Sequence, residues 1–299
     1  MKIGIIGAGS IGLLFAAYLS KTSHVIIYTK TSEQAEAINK NGVVLVKKDG
    51  KSNYSIKACS FDLWNGQEDL TIVAVKQYKV KEIIERAAKF SRKPLNILFL
   101  QNGMSHLKLL SQLEGNNLFV GSIEHGAYKE NPFTVRHNGE GVTNLAVFSG
   151  DSTSLTSFSS LVPDDFPVSI HNNYYEMLIG KLIINAVINP LTAILQVQNG
   201  LLIKNDYYYE VLKDLFAEIR FILNLTDSNV YFLRVIEVCN NTALNRSSML
   251  KDIEMGRKTE IDAILGFLLE EAQKQEKQAP MIKSLYLLIK GKESNKQQE

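Results

Sequence analysis

The chain has 299 residues, 33 lysines and arginines against 31 aspartates and glutamates, and a formal net charge of +2. Charges of both signs are mixed along it, so no nucleic-acid or membrane partner is expected, and a small molecule is the expected ligand. Cys59 and Cys239 lie far apart without metal-ligand spacing, which argues against a disulfide framework and a structural metal site. This length suits two domains of roughly 100 to 200 residues each.

The first half of the sequence alternates short apolar runs with helix-like segments. The runs are KIGII, HVIIYT, LTIVAV, LNILFL and NLFVGS, and a segment of helical periodicity follows each of the first four. Strands that are apolar at nearly every position indicate a parallel sheet with helices on both faces. We therefore predict an α/β fold with a Rossmann-type doubly wound parallel sheet, to which FTVRHN and TNLAVFSG add antiparallel strands at the far end.

The pattern changes after FPVSI, which spans residues 166–170. Helical periodicity then dominates, notably over 207–224, 228–243 and 259–275. We predict a Rossmann domain over 1–170 and an all-helical C-terminal domain over 171–299. The longest apolar stretch contains Pro190 and several polar residues, so no membrane-spanning helix is expected. The N-terminus lacks the unbroken apolar core of a signal peptide, and a cytoplasmic protein is expected.

A glycine-rich loop joins the first predicted strand to the first predicted helix. Its GxGxxG spacing is formed by Gly7, Ala8, Gly9, Ser10, Ile11 and Gly12. In a βαβ unit, the first glycine permits a tight turn, the second lets the backbone approach a pyrophosphate, and the third lets the helix pack close to the strand. The loop predicts a dinucleotide site, and the alternative is a glycine-rich turn that binds nothing.

The end of the second predicted strand indicates which dinucleotide binds. A carboxylate there would bind the ribose 2′-hydroxyl of NAD, whereas the sequence TKTS has no acid and presents Lys30. A basic residue suits the 2′-phosphate of NADP, so NADPH is favoured, although lysine lacks the forked geometry of arginine. The alternative is that Lys30 is a solvated loop residue.

A lysine and three asparagines interrupt the apolar segment EMLIGKLIINAVINPLTAILQVQNG. Lys181, Asn185 and Asn189 are four residues apart, a drift of about 40° per step on a helix, so they form one polar stripe. Buried amides need hydrogen-bond partners, which either a ligand or neighbouring backbone groups would supply, and the lysine could instead reach solvent. Pro190 is expected to kink or restart the helix, and Asn199 lies off the stripe.

Seven short motifs are distributed over both halves of the chain. They are VK at 75–76, QNGM at 101–104, KL at 181–182 with Asn185, NPLTA at 189–193, NG at 199–200, NRSSMLKD at 245–252 and GRKTEID at 256–262. Together they resemble the motifs of the ketopantoate reductase (2-dehydropantoate 2-reductase) family over nearly the whole chain. The resemblance implies an oxidoreductase that reduces ketopantoate to pantoate with NADPH, a step towards pantothenate and coenzyme A.

The resemblance also implies a role for each matched residue. Lys181 would be the general acid, which suits hydride addition to a 2-oxo acid because negative charge then grows on the carbonyl oxygen. Substrate would be bound by Asn102, Asn185, Asn189, Asn199 and Ser248. The cofactor would be bound by the glycine loop together with Lys30, Lys76, Asn102 and Glu260.

Several of these residues have ordinary structural alternatives. Asn102 could belong to a plain turn, Lys76 could be solvated, Ser248 could cap a helix, and Glu260 could stabilise a helix dipole. We interpret His125 and His137 as structural, because neither has a partner carboxylate at a recognisable spacing.

The sequence also departs from the family pattern. Leu178-Ile179-Gly180 precede Lys181 where the family usually has a basic or aromatic residue, and family members often have arginine where this chain has Lys30. These departures leave open a reductase of another branched 2-oxo acid, and a non-catalytic nucleotide-sensing protein is the alternative from another class. The sequence does not decide between a monomer and a homodimer.

Overall fold

The computed structural model describes residues 1–90 and 94–295. The chain forms two compact units, and unit 1 comprises Met1–Gln101 and Leu107–Met177. Unit 2 comprises Asn102–His106 and Leu178–Glu299. No pattern in the sequence indicated that the short 102–106 segment belongs with the helical unit.

The described residues form strands mainly in unit 1 and helices mainly in unit 2. The strands are β1 (Lys2–Ile6), β2 (His24–Thr29), β3 (Val43–Lys47), β4 (Gly50–Tyr54), β5 (Lys57–Ser60), β6 (Leu70–Val73), β7 (Asn96–Phe99), β8 (Asn117–Ile123), β9 (Gly126–Lys129), β10 (Thr134–Gly139), β11 (Thr143–Ser149) and β12 (Val168–His171). The helices are α1 (Ser10–Leu19), α2 (Ser32–Asn41), α3 (Val80–Ala87), α4 (Leu107–Leu110), α5 (Thr153–Ser159), α6 (Tyr174–Leu195), α7 (Leu201–Lys204), α8 (Asp206–Leu223), α9 (Ser228–Asn241), α10 (Ser248–Glu254), α11 (Ile261–Lys274) and α12 (Pro280–Asn295).

The main sheet of unit 1 has the strand order β12-β11-β8-β7-β6-β1-β2-β5. The six strands from β8 to β5 are parallel, and the chain extends outward from β1 in both directions, which is the doubly wound topology. β11 then pairs antiparallel with β8. The predicted α/β fold with its Rossmann-type sheet and its helical C-terminal region is confirmed.

The prediction for FTVRHN is wrong. Its strand, β10, pairs parallel with β3 and antiparallel with β9 in a separate sheet of order β4-β3-β10-β9. The prediction for TNLAVFSG is correct, since it forms β11. Strand composition shows that a segment can join a sheet, but the partner is chosen by contacts between residues about 90 positions apart, which local pattern does not encode.

Helix α1 lies at the centre of the core of unit 1. Every residue from Gly12 to Leu19 is buried, because α1 packs against strands of the main sheet and also against β3, β9 and β10. A helix that is apolar on all sides needs such cover on all sides. The smaller sheet therefore explains why SIGLLFAAYL has no polar face.

Helix α6 is the long apolar helix of unit 2. It continues through Pro190 to Leu195, so the proline does not restart the helix as one of our expectations held. By length and composition α6 could cross a bilayer, but 72% of its apolar window is buried inside the protein, as in a core helix. The helical segments predicted at 207–224, 228–243 and 259–275 correspond to α8, α9 and α11.

A buried histidine in unit 1 has surroundings that disfavour its protonated form. His125 stacks on Phe166 with ring centroids 4.3 Å apart, and its Nδ1 accepts the N–H of Gly141 (3.2 Å) and lies 3.2 Å from His137 Nε2. Burial, with a smaller contribution from His137, lowers the pKa of His125 to about 4. The imidazole is therefore neutral in the folded protein at neutral pH.

We expect the free energy of unfolding to decline as the pH falls from about 6.5 towards 4, because the unfolded chain binds a proton at His125 more readily than the folded one. His125→Asn keeps an acceptor near the Nδ1 position and does not titrate, so it should remove part of this decline. Urea unfolding of both proteins at pH 7 and pH 5 measures the difference. An identical pH dependence in the two proteins would contradict the assignment.

Candidate active site

The glycine loop lies at the carboxyl end of β1. Gly7 has φ +106°, and its N–H donates to the carbonyl oxygen of Tyr28 (2.9 Å). A Cβ at Gly12 would lie 1.8 Å from the carbonyl oxygen of Gly7, so only glycine lets α1 begin this close to the turn. A Cβ at Gly9 would have no atom within 4 Å. The loop thus combines open space at Gly9 with the N-terminus of a helix, whose first N–H groups have no partner within the helix itself, and this combination fits a phosphate.

Two predicted cofactor lysines lie near the same edge of the main sheet. β2 and β6 flank β1, and Lys30 follows β2 while Lys76 follows β6 by three positions. Lys30 is exposed and precedes Thr31, whose hydroxyl caps α2, and Lys76 is half-buried. Parallel strands place their carboxyl ends on one edge, so unit 1 gathers both lysines with the glycine loop where open α/β sheets bind ligands.

Unit 2 contains a narrow recess formed by four of its segments, namely the 102–106 segment and helices α6, α10 and α11. The residues that line it are Asn102, Asn185, Asn189, Ser248, Met249, Asp252, Glu260 and Ile264. Three carboxamides and a hydroxyl converge there beside two apolar side chains. The recess brings together five of the residues that the sequence predicted for the site.

Asn102 is held in the recess by both its backbone and its side chain. Gly103 has φ +76°, and a Cβ there would lie 2.1 Å from the carbonyl oxygen of Ala263, while the N–H of Met104 donates to the same oxygen (3.3 Å). Asn102 Nδ2 donates to Glu260 Oε2 (2.9 Å). Asn102 therefore does more than close a turn, since its amide is oriented by a carboxylate.

Glu260 precedes α11, but a neighbouring residue provides the cap. The Thr259 hydroxyl accepts the N–H of Ile261 (3.2 Å) and donates to Glu293 Oε1 on α12 (2.7 Å), and the N–H of Thr259 donates to the same oxygen (2.7 Å). Thr259 is 1% exposed. These bonds fix the start of α11 and leave the Glu260 carboxylate directed at Asn102.

A buried hydroxyl pair joins α6 to α10. Thr192 Oγ1 is hydrogen-bonded to Ser247 Oγ (2.8 Å) and to the carbonyl oxygen of Ile188 (2.8 Å). Ser247 caps α10 by accepting the N–H of Leu250 (3.1 Å). Helix capping, the structural alternative for Ser248, is thus performed by Ser247. Ser248 lines the recess with Asn189.

Two residues predicted for the site lie outside the lining of the recess. Lys181 is half-buried on α6, one turn before Asn185. Asn199 is buried after the end of α6, where its Nδ2 donates to Thr242 Oγ1 (2.9 Å) and its N–H to the carbonyl oxygen of Asn245 (3.0 Å). These bonds brace the chain that leads into α10, and a substrate contact by Asn199 stays a prediction.

Asp252 also lines the recess, and it is not among the site residues predicted from the sequence. It is 5% exposed, and its Oδ1 accepts hydrogen bonds from Arg257 Nε (3.0 Å) and a terminal guanidinium nitrogen (2.9 Å). The motif NRSSMLKD contained a signal for this position. Asp252 follows Met249 by three residues, so the two lie on the same face of a helix. Within the described residues no cluster of histidine, cysteine and acidic side chains could hold a metal ion.

The two sites together define a class of protein. A Rossmann-type unit with an open glycine loop and a helical unit with an amide-lined recess suit a protein that binds a dinucleotide and a small polar ligand. A family model described as "Ketopantoate reductase PanE/ApbA" matches residues 3–150, and its C-terminal companion matches residues 173–293. The chain belongs to the ketopantoate reductase family, as its motifs predicted.

Relatives and solved structures agree with this assignment. The chain is 40% identical to a 2-dehydropantoate 2-reductase of Bacillus subtilis over 297 residues, covering 99% of this chain and 98% of the relative. The crystal structure of a probable 2-dehydropantoate 2-reductase from Bacillus subtilis has a TM-score of 0.90 at 40% identity, covering 98% and 100% of the two chains. A ternary structure of D-mandelate dehydrogenase has the same TM-score of 0.90 at 20% identity, covering 99% of each chain, and shares the fold.

A matched pair of glycine substitutions tests the geometry of the loop. Gly12→Ala should destabilise the protein by at least about 2 kcal/mol, because its methyl group would overlap the Gly7 carbonyl oxygen. Gly9→Ala should cost less than about 1 kcal/mol, since it only replaces glycine at a helix N-cap. Its methyl group should nevertheless weaken dinucleotide binding. Urea unfolding and fluorescence titration measure the two effects, and equal destabilisation by both substitutions would contradict this description.

The hydroxyl pair between α6 and α10 is tested by a double-mutant cycle. Thr192→Val and Ser247→Ala should each destabilise the protein by about 1–2 kcal/mol, and the double variant should lose less than the sum because both remove the same bond. Thr156→Val is the control, since that threonine is exposed and its hydroxyl donates to the carbonyl oxygen of Ser152 in the preceding turn. Strictly additive losses in urea unfolding would show that the bond contributes nothing.

Proposed function

We propose that this protein reduces 2-dehydropantoate to pantoate with NADPH, in the route to pantothenate and coenzyme A. The observation that carries the proposal is the convergence of Asn102, Asn185, Asn189, Ser248 and Glu260 on one recess. The identity of 40% to a named 2-dehydropantoate 2-reductase over 99% of the chain supports the same substrate.

The chemistry of the recess suits this substrate. 2-Dehydropantoate carries a carboxylate, a 2-oxo group, a hydroxyl and two methyl groups on one carbon. The amides of Asn185 and Asn189 and the hydroxyl of Ser248 would donate hydrogen bonds to the carboxylate and the oxo oxygen, and Met249 and Ile264 would contact the methyl groups.

The two acids of the recess are compatible with an anionic substrate. Asp252 accepts two bonds from Arg257, so much of its charge is compensated. Glu260 accepts from Asn102, and we propose that it orients this amide for the substrate and the cofactor. Its carboxylate could also accept the substrate's hydroxyl group, which is a donor of the kind that a carboxylate prefers.

Lys181 is the proposed general acid. When NADPH is bound it supplies the hydride that adds to the 2-oxo carbon, and the charge that develops on the carbonyl oxygen calls for a proton donor. Lys181 shares the polar stripe of α6 with Asn185 and Asn189. Its flexible four-carbon stem would let its ammonium reach the oxo oxygen of a substrate bound in the recess. The asparagines would hold the substrate while the lysine transfers the proton.

For the cofactor we propose NADPH, bound by the glycine loop, Lys30 and Lys76. The exposed Lys30 at the end of β2 would attract the 2′-phosphate, and no acid stands in TKTS to repel it. The two cysteines are free thiols, which suits the reducing cytoplasm that we propose as its location. Asn199 would support the site through the chain before α10, in addition to the substrate contact that the resemblance implies.

The assignment of substrate is tested by NADPH oxidation. We expect turnover with ketopantoate to exceed that with a panel of other branched 2-oxo acids, and to fall when NADH replaces NADPH. If the protein turned over another acid but not ketopantoate, the proposed substrate would be wrong and the proposed reaction class would stand. Binding of nucleotide without turnover of any acid would favour a nucleotide-sensing protein.

Lys181→Met removes the proton donor and keeps the apolar stem. We expect kcat to fall by roughly 10²- to 10⁴-fold, the usual contribution of general acid catalysis, while the dissociation constant of NADPH stays within twofold. Lys213→Met is the matched control, because Lys213 is a surface residue of α8 paired with Glu210 (2.7 Å). Unchanged turnover in Lys181→Met would remove the general-acid role.

A further inference from the structure

A lysine outside the predicted site residues, Lys129, lies against the glycine loop. Lys129 ends β9 in the smaller sheet, and its Nζ lies 3.2 Å from the carbonyl oxygen of Ala8. Its backbone N–H donates to the hydroxyl of Ser10 (3.1 Å), the first residue of α1. One residue thus contacts the turn of the loop with its side chain and the first turn of the helix with its backbone.

The turn after β9 is held against the same loop. Gln34 Nε2 donates to the carbonyl oxygens of Ala8 (2.9 Å) and Pro132 (2.8 Å), so the side chain bridges the glycine loop and the β9–β10 turn. The next residue in sequence, Glu130, pairs with Arg136 (2.6 Å to Nε) rather than with Lys129. The position of the ammonium is therefore set by the packing of the smaller sheet on α1.

The Lys129 ammonium has an incomplete set of partners. Within the part of the chain that the structure describes, no carboxylate pairs with it, and burial lowers the pKa of Lys129. Removing a cation from water is unfavourable unless an anion compensates it, and a single carbonyl oxygen provides only a dipole. The surrounding groups are those of a phosphate-binding loop, so the compensating anion is expected there.

We propose that Lys129 is a cofactor-binding residue whose ammonium contacts the diphosphate of the dinucleotide at the glycine loop. The diphosphate is favoured over the 2′-phosphate because the contacts of Lys129 are with Ala8 and Ser10, where the helix N–H groups receive the diphosphate. The 2′ position is read at the end of β2, where Lys30 lies. This inference rests on the proposed function only in that a nicotinamide dinucleotide binds at the loop.

Dissociation constants of NADPH and NADH distinguish a contact of Lys129 with the diphosphate, which both nucleotides carry, from a contact with the 2′-phosphate, which only NADPH carries. Lys129→Met should raise those of NADPH and NADH by the same factor of about ten, since a lost charge-assisted bond is worth roughly that much. Lys129→Arg should stay within about threefold of wild type for both. Lys30→Met, the matched control, should weaken the binding of NADPH and leave that of NADH unchanged. Fluorescence titration at constant salt measures the dissociation constants of wild type and the three variants.

The thermal unfolding of the nucleotide-free protein distinguishes a binding role from a structural one. Lys129→Met should leave the apo Tm unchanged or raise it, because the substitution removes an uncompensated cation, while the rise in Tm that saturating NADPH causes in wild type should shrink. If Lys129 only held the Ala8 carbonyl oxygen in place, its replacement would lower the Tm of the nucleotide-free protein. That result would overturn the inference.

Binding data give the remaining outcomes. Dissociation constants of Lys129→Met within twofold of wild type for both nucleotides would overturn the inference, and so would weaker binding of NADPH alone, which would assign Lys129 to the 2′-phosphate. Either result would leave the proposed function intact. A wild-type protein that bound neither nucleotide would overturn both proposals together.

Discussion

Polar groups on the buried helix α6 must find hydrogen-bond partners, and unit 2 is arranged around that requirement. Asn189 is 7% exposed and Thr192 is fully buried, in a helix whose other buried side chains are apolar. Thr192 is satisfied by Ile188 and by Ser247, which brings the first turn of α10 beside α6. An unpaired buried hydroxyl or amide costs about 1–3 kcal/mol, so a different placement of α10 would be penalised.

The remaining walls of the recess follow from the same kind of constraint. Glu293 on α12 accepts hydrogen bonds from both the N–H and the hydroxyl of Thr259, which fixes the start of α11. Asn102 completes the wall by donating to Glu260. The 102–106 segment can approach α11 only because residue 103 is glycine with φ +76°. The groups that we propose as substrate contacts are thus held by neighbours that touch no substrate, which limits the reorganisation that binding requires.

In unit 1 the constraint is different, because the binding group that we propose there is the backbone itself. The absence of Cβ atoms at Gly7, Gly9 and Gly12 lets α1 begin at the edge of the sheet with its N–H groups unblocked. The smaller sheet covers the other side of α1 and carries Lys129 to the loop. A sheet that has a packing role therefore also places a lysine beside the loop that we propose as the dinucleotide site.

Local pattern was sufficient for much of this protein. Apolar runs alternating with helical periodicity indicated the doubly wound sheet, and the spacing of the glycines indicated the tight turn between β1 and α1. A four-residue spacing placed Asn185 and Asn189 on one stripe of a helix, because strands and helices each impose a period on their own residues. Only the tertiary structure decided that β10 pairs with β3, that Ser247 and not Ser248 caps α10, that Asp252 lines the recess, and that Lys129 lies against Ala8. These are contacts between residues far apart in sequence, or choices between adjacent residues of the same type, and they are set by packing and by the need of each buried polar group for a partner.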